Sequence, residues 1–418
     1  MSELVPGGWK KLRLKNVSVQ MKGLTYKSED YTDESNGLPF LTLKSVSKSG
    51  GYSPEGLKFY GGDFKEHHIL SVGDILFANT DLTRDGDVVG SPLYFEGFAD
   101  KSLYSMDLSR LITDPDKADS KFLYYLIMTH RIKRFMVNFS AGSTVLHLDT
   151  KRVQELFVTL PPLSEQKKIA SILTSVDEVI EKTQKHIEKL RDLKKAVMNE
   201  LLTKGIGHTE FKDSKLGRIP KSWLAKNMGS ISQFSGGSAF KEIYQGKTQG
   251  VYPFAKVSDM NLAGNEKFLY KSNNWISNEV RKEAKIKIFP AQSTVFAKVG
   301  AALLLNNRRQ LIRETAIDNN MMAAIPSHCN HDFLFYLLQT IDLKTIVQSG
   351  AVPSVNQKQM KSIPVSVPPL HEQKKIASIL TSIDKNIEEK QRKLQKTKSL
   401  KKSLMQDLLT GKVRVKVN

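Results

Sequence analysis

The chain contains a single cysteine, Cys329, so it can form no internal disulfide framework and no cysteine-rich zinc site. No apolar run reaches the eighteen or so residues that would suggest a membrane span, and no membrane partner is expected. Met1–Pro6 has no basic segment leading into an apolar core, so no secretory signal is expected, and the anticipated compartment is a reducing cytoplasm. Catalytic signatures are equally scarce. Gly246-Lys247-Thr248 has the look of the end of a phosphate-binding loop, but Lys241 stands where its first glycine belongs. Asp114-Pro115-Asp116-Lys117 is a polar turn with no strand bearing a partner carboxylate, and the adjacent His67-His68 has no further His or Cys at a helical ligand spacing. No glycine-rich dinucleotide loop follows a strand, and no Asn-Pro-Pro-aromatic or Asp-Pro-Pro-aromatic motif is present to hold a base for amino methylation. A metal site, a resident cofactor and a catalytic residue are therefore all expected to be absent.

Acidic residues are also in deficit. Lys plus Arg number 63 against 43 Asp plus Glu, a net charge of +20. An excess of that size points to a polyanionic partner, nucleic acid first. With 418 residues, 40% of them hydrophobic, the chain can build two to four domains with real cores.

The most informative absence is local. After Pro161-Pro162 and again after Pro368-Pro369, about forty residues pass without a proline or glycine, which predicts one long helix in each place. At about 1.5 Å per residue each would be about 60 Å long. The two stretches, 161–203 and 368–410, are near-copies in register without a gap: Glu165-Gln166-Lys167-Lys168-Ile169-Ala170-Ser171-Ile172-Leu173-Thr174-Ser175 recurs unaltered as 372–382. In the first copy Ile169, Leu173, Val176, Ile180, Ile187, Leu190, Val197 and Leu201 alternate by four and three, with Thr183 and Lys194 as gaps and Leu193 as a possible replacement. In the second, Ile376, Leu380, Ile383, Ile387, Leu394, Leu404 and Leu408 hold the equivalent places, with Lys390, Thr397 and Lys401 as gaps. Such a stripe on a Lys- and Glu-rich surface favours a coiled-coil seam, most simply between the two copies.

Residues 1–160 read as a mixed globular unit. Trp9–Val17 and Phe40–Val46 are strand candidates, Gly73–Thr80 is a turn feeding a buried strand, and Lys121–Ile127 starts an amphipathic helix that ends before Asn138. Residues 204–218 form a Gly-punctuated linker, and 219–367 repeat the same plan with little identity, from Trp223 through Pro253–Val257 and Thr294–Lys298 to Asp332–Leu338. Residues 411–418 are a short tail. The expected class is α+β: two globular domains and two long helices in a pseudo-twofold internal repeat. Spacing alone leaves the helices' relative direction open.

The paired Pro-Pro-Leu-x-Glu-Gln helices at this spacing resemble the two conserved regions of type I restriction–modification specificity subunits, and the resemblance covers essentially the whole chain. It implies a non-catalytic subunit. Two target-recognition domains would each read one half of a split sequence in double-stranded DNA, antiparallel helices would set the spacing, and two methyltransferase (modification) subunits would dock on those helices. The partners would supply S-adenosylmethionine for adenine methylation and, with restriction/translocase subunits, ATP and magnesium for translocation and cleavage. Polar residues after strand candidates or in turns are the candidates for DNA contact: Lys44, Lys48, Asn79, Thr80, Arg84, Ser143 and Thr144 in the first domain, and Lys256, Lys298, Asn306, Asn307, Arg308, Arg309, Ser354, Asn356 and Gln357 in the second. The run 306–309 is the foremost, because it joins amide and guanidinium donors directly after an apolar stretch. Two rival classes, a coiled-coil scaffold binding nucleic acid without sequence choice and a self-sufficient endonuclease, explain less. The first gives no reason for two diverged domains, and the second lacks metal-binding carboxylates.

Overall fold

A computed structural model describes residues 5–83, 85–97, 101–347 and 352–417. The chain divides into two compact units, Met1–Gln184 with Arg392–Asn418, and Lys185–Gln391, so each unit holds one globular lobe and one end of both long helices. None of the helices among the described residues is long and apolar enough to cross a membrane.

The first unit is built on an antiparallel sheet whose strands run in the order Ser18–Lys22, Leu108–Thr113, Ile75–Ala78, Pro92–Tyr94. Alternate side chains of a strand face opposite sides, and here each side has its own core. Ile75 and Phe77 pack with the helix Ser120–Ile127 and the long-helix residues Ile169 and Leu173, while Leu76 and Ala78 pack with Leu41, Phe95 and Tyr104. That double burial explains why 75–78 is apolar at every position. A smaller sheet, Tyr31–Thr32, Leu57–Tyr60, Leu38–Leu41, Leu103–Tyr104, completes the lobe. The helix expected from 121 onward ends at Ile127, and a second one, His130–Asn138, starts after Thr129, whose extended backbone and hydroxyl bond to Leu126 O interrupt it.

The second unit repeats the scheme. Its main sheet begins Ser232–Gly236, Met321–Pro326, Thr294–Ala297, with Phe296 and Met322 facing the helix side and Val295 and Met321 the other. Two further strands, Arg309–Leu311 and Phe268–Leu269, extend it. The predicted linker is partly ordered, because Phe211–Ser214 and Gly217–Pro220 pair as a hairpin.

The two long helices, the rods, run Leu163–Thr203 and Leu370–Leu408. In the first unit Glu165 pairs with Arg414 and Asp177 with Lys401, so the rods run in opposite directions there. In the second, Lys194 meets Asp384, and Val197, Leu201 and Leu202 share a core with Ile376, Ala377 and Leu380 in the same opposed sense. Ile169, Leu173, Ile187, Ile376, Leu380, Ile387, Leu394 and Leu408 are buried, and Val176, Ile180, Leu190, Val197, Leu201, Ile383 and Leu404 are half-buried. The replacement role given to Leu193 is corrected: it is exposed, and Lys194 keeps the inward place because its ammonium is paired with Asp384. Thr183 is likewise buried, its hydroxyl donating to Val179 O within the helix. The rods end in matched turns: Gly205 and Gly411 both adopt φ of +72°, the left-handed region glycine enters freely.

Candidate nucleic-acid interface

The candidates do not form one patch. In the first unit, Thr80 lies on the strand Thr80–Asp81, which pairs with Leu146–Leu148 and sets Thr80 opposite His147. Asn79 precedes it, and its backbone O accepts from Leu148 N at 2.8 Å. Asp149 then caps the short helix Thr150–Gln154 by accepting from Lys151 N. The result is a cleft of about 450 Å³ with Asn79 and Thr80 in its wall together with Gln20, Lys22, His147 and Lys151.

Asn79 is the unusual member. It is 8% exposed, its Nδ2 donates to Met106 O at 3.2 Å, and its Oδ1 has no hydrogen-bond partner among the described residues. An unpaired buried acceptor costs about 1–3 kcal/mol, so a satisfied alternative would be favoured unless something else fills the role.

Lys44, Lys48, Ser143 and Thr144 are not among the residues that line this cleft. Lys44 is exposed on the short helix Leu43–Ser45. Lys48 forms an exposed 2.7 Å pair with Asp87 and lines a separate cavity of about 690 Å³ with Lys133, Lys398 and Lys402. Ser143 and Thr144 are exposed in the turn after Gly142, and Arg84 lies outside the described residues.

In the second unit the structure corrects the foremost candidate run. Arg308 and Arg309 are 3% and 8% exposed, with Arg308 donating to Ile341 O and Arg309 clasping Met260 O through two nitrogens. Burial pushes the Arg308 guanidinium down to about 10. These side chains fasten loops rather than face a ligand, because turning into the core at the start of strand Arg309–Leu311 satisfies four backbone carbonyls, those of Met260, Asn307, Arg308 and Ile341, with one pair of forks. Asn306 is also occupied, donating to Asp342 and accepting from Leu343 N, while Asn307 is half-buried and its backbone O accepts from Arg308 Nη1.

Lys298 and Ser354 stand where Asn79 and His147 stand in the first unit. The equivalence is geometric: Val355 N donates to Lys298 O at 2.9 Å, Val299 bridges Ser354, and Asn356 caps the helix Gln357–Ser362 in a reciprocal capping box with Gln359. The cap occupies the Asn356 side chain, whereas Gln357 beside it is exposed. Lys256 is half-buried with its ammonium on Gln245 Oε1. Reading from the sequence missed Gln20, Lys22, His147, Lys151 and Gln154. Gln20 and Lys22 are two apart on a strand, and Lys151 follows an Asp at a helix start, but nothing local shows that these segments meet.

The candidate residues are carried on a frame that recurs in both units. Gln166 and Gln373 occupy the same role at the two rod starts, each accepting from the backbone N–H of the residue that caps the neighbouring lobe helix, Asp119 and Asn330, at 2.9 Å. Each also donates from Nε2 to the first proline of its Pro-Pro, Pro161 O and Pro368 O, at 2.9 Å. The Pro-Pro-Leu-x-Glu-Gln motif is therefore the joint between lobe and rod.

The chain is similar to known proteins. A family model of the type I restriction modification DNA specificity domain matches residues 6–191 and again 220–398, each span running from a lobe into its rod. A Methanocaldococcus jannaschii protein named as the specificity subunit of the type I restriction enzyme MjaX is 31% identical over 431 residues, covering 99% of this chain and 95% of that protein. The crystal structure of a type I restriction–modification system S subunit from M. genitalium has a similar fold, with a TM-score of 0.61 at 17% identity over 98% of each chain. A chain from a structure of complex assembly and conformational transition in the type I R-M system aligns with a TM-score of 0.54 at 15% identity, over 98% of this chain and 100% of that one. Two family matches in tandem, each ending in the same jointed rod, make this chain a member of the type I restriction–modification DNA specificity family.

Proposed function

We propose that this chain is the DNA-specificity subunit of a type I restriction–modification complex. Each lobe reads one part of a two-part site in double-stranded DNA, and the rods dock two modification subunits. The chain itself transfers no methyl group. S-adenosylmethionine, and ATP with magnesium where a restriction subunit joins, are held by the partners. The net charge of +20 supports the DNA partner, since phosphate contacts supply affinity independent of sequence.

The observation that carries the reading is the uneven drift of the repeat. Within the unaltered segment, Glu165, Gln166, Ile169, Ala170 and Leu173 are buried, as are their counterparts Glu372, Gln373, Ile376, Ala377 and Leu380, so packing accounts for them. Packing does not account for Lys167, Lys168, Ser171 and Ser175, which are exposed and nevertheless recur, exposed, as Lys374, Lys375, Ser378 and Ser382. Two identical outer surfaces suit two copies of one partner, and two diverged lobes suit two different DNA half-sites.

Co-expression with a modification subunit from the same operon tests this. The expected result is a stable complex that methylates adenines only within a two-part motif, and exchange of residues 1–160 for another such lobe changes one part of that motif. Failure to form any stable complex overturns the reading, and a change in both parts overturns the division of labour between lobes.

A further inference from the structure

The two lobes place chemically opposite groups at one equivalent strand position. Strand register fixes the correspondence. In the first unit Ser109 sits between Lys22 and Phe77, and in the second Met322 sits between Gly236 and Phe296, so Asn79, two residues past Phe77, matches Lys298, two past Phe296. On the same register Gln20 corresponds to Phe234 and Ser109 to Met322, both buried apolar side chains. The first cleft thus has a polar wall around a buried, unpartnered carbonyl oxygen. In the second unit the equivalent place holds core side chains and one half-buried ammonium, beside the missing side chain at Gly236: a Cβ there would stand 3.1 Å from Lys298 Nζ.

Resting on the DNA-reading function above, we propose that these two positions determine specificity, Asn79 taking an amino-bearing base in one half-site and Lys298 taking an acceptor edge in the other. Asn79 Oδ1 can only accept, so its partner must donate, which among base edges in the major groove means adenine N6 or cytosine N4. The Nδ2 group spends one proton on Met106 O and keeps a second. Adenine uses both ends of the amide, N6–H to Oδ1 and N7 from Nδ2, whereas cytosine uses one. Lys298, a donor only, suits guanine O6 and N7 or thymine O4.

The test is the methylated motif written by the complete complex of this chain with its modification subunits, read by sequencing modified genomic DNA. Asn79→Ala relaxes one base position in one half of the motif and lowers methylation of the original site about tenfold to a hundredfold, the discrimination expected of one amide–base pair. The base lost from that position tells adenine from cytosine. Lys298→Ala relaxes one position in the other half and leaves the first intact. Should Asn79→Ala fail to assemble, Lys22→Ala and Gln154→Ala on the same cleft's wall give the same reading, a shift confined to one half. The proposal is overturned by an assembled Asn79→Ala complex with unchanged motif and rate, in which case the carbonyl serves a buried water, or by rim variants that leave the motif unchanged. A wild-type complex without a two-part motif instead removes the DNA-reading function itself.

Discussion

The two units fasten lobe to rod with the same small device, and one unit has added to it. In the first, Tyr125 from the lobe helix donates its hydroxyl to Asp177 at 2.8 Å and lies 3.3 Å from Thr174, while Lys401 of the other rod closes on Asp177 at 2.7 Å. In the second, Tyr336 donates to Asp384 at 2.6 Å beside Thr381 at 3.2 Å, and Lys194 closes on Asp384 at 2.7 Å. Burial drives both tyrosine hydroxyls well above their ordinary range, so they stay protonated and must donate. The second unit then adds Lys267, a lobe residue whose ammonium reaches Asp384 at 3.0 Å and the Tyr336 hydroxyl at 2.8 Å. The Asp384 side chain is 15% exposed against 34% for Asp177. Lys194 and Lys401, two of the lysines that interrupt the heptad stripe, are thus the third members of these clamps, and leucine in their places would leave Asp177 without a counter-charge and Asp384 with Lys267 alone.

The comparison breaks most visibly if the aspartates are removed. Asp384→Ala strands two partly buried ammonium groups and a tyrosine hydroxyl, and should destabilise the second unit by about 3 kcal/mol. Asp177→Ala strands one ammonium group and a tyrosine hydroxyl that keeps Thr174 beside it, at a more exposed carboxylate, and should cost the first unit about 1.5 kcal/mol. The three tryptophans separate the readouts: Trp9 reports the first unit, and Trp223 and Trp275 the second, so denaturant unfolding of Trp→Phe variants resolves the two losses. Equal losses would mean that Lys267 adds nothing.

A smaller effect sharpens the contrast at the rod ends. Beyond Gly205, His208 Nε2 lies 2.8 Å from Glu372, which also accepts from Trp223 Nε1 at 3.0 Å. Beyond Gly411, Arg414 grips Glu165 through two nitrogens instead, and the Trp9 indole N–H has no partner among the described residues. Alanine at either glycine is strained by about 1–2 kcal/mol at positive φ. A methyl at 205 would also stand 2.5 Å from Glu372 Oε1 and 2.8 Å from the Trp223 ring, whereas at 411 it meets Pro6 at 2.5 Å and the ring of Trp9 at 3.2 Å. Gly205→Ala should therefore cost more than Gly411→Ala, with a blue- or red-shift of Trp223 emission that Gly411→Ala does not produce.

Periodicity explains which of these features the sequence discloses. The rods were legible because apolar recurrence and the absence of proline and glycine are local signals, and Pro161-Pro162 marks a start without reference to the rest of the chain. The strand at 75–78 was legible for the same reason, being apolar throughout. The cleft was not, because Lys22, Asn79 and His147 come from three distant segments, which the register of Leu108–Thr113 against its two neighbours and the pairing of Leu146–Leu148 with Thr80–Asp81 bring together. Arg308 and Arg309 misled for a physical reason. A guanidinium whose stem packs inward can satisfy buried carbonyls as readily as a base edge, and composition does not distinguish the two.

The finest test concerns Lys267 alone. Burial works to raise the Asp384 carboxyl, but the charge and hydrogen bond of Lys194, the Tyr336 hydroxyl and the charge of Lys267 together outweigh it and hold the group below the usual carboxylate range. A carboxyl with a lower value folded than unfolded binds fewer protons in the folded state. Its contribution is therefore complete above the ordinary aspartate value of about 3.9 and is lost as pH falls through the folded value. Lys267→Met removes one of the lowering groups and leaves Lys194 in place, so the folded value moves up toward the unfolded one and the acid-sensitive window narrows. At neutral pH the loss should be about 1 kcal/mol, the scale of a partly exposed pair. Unfolding of the second unit, followed through Trp223 as pH is lowered from about 6 to about 3, should show a shallower acid slope in Lys267→Met than in the wild type. Asp384→Asn should abolish that part of the slope, while the first unit, followed through Trp9, should be unchanged by either substitution. An acid slope untouched by Lys267→Met would reduce the difference between the two clamps to burial alone.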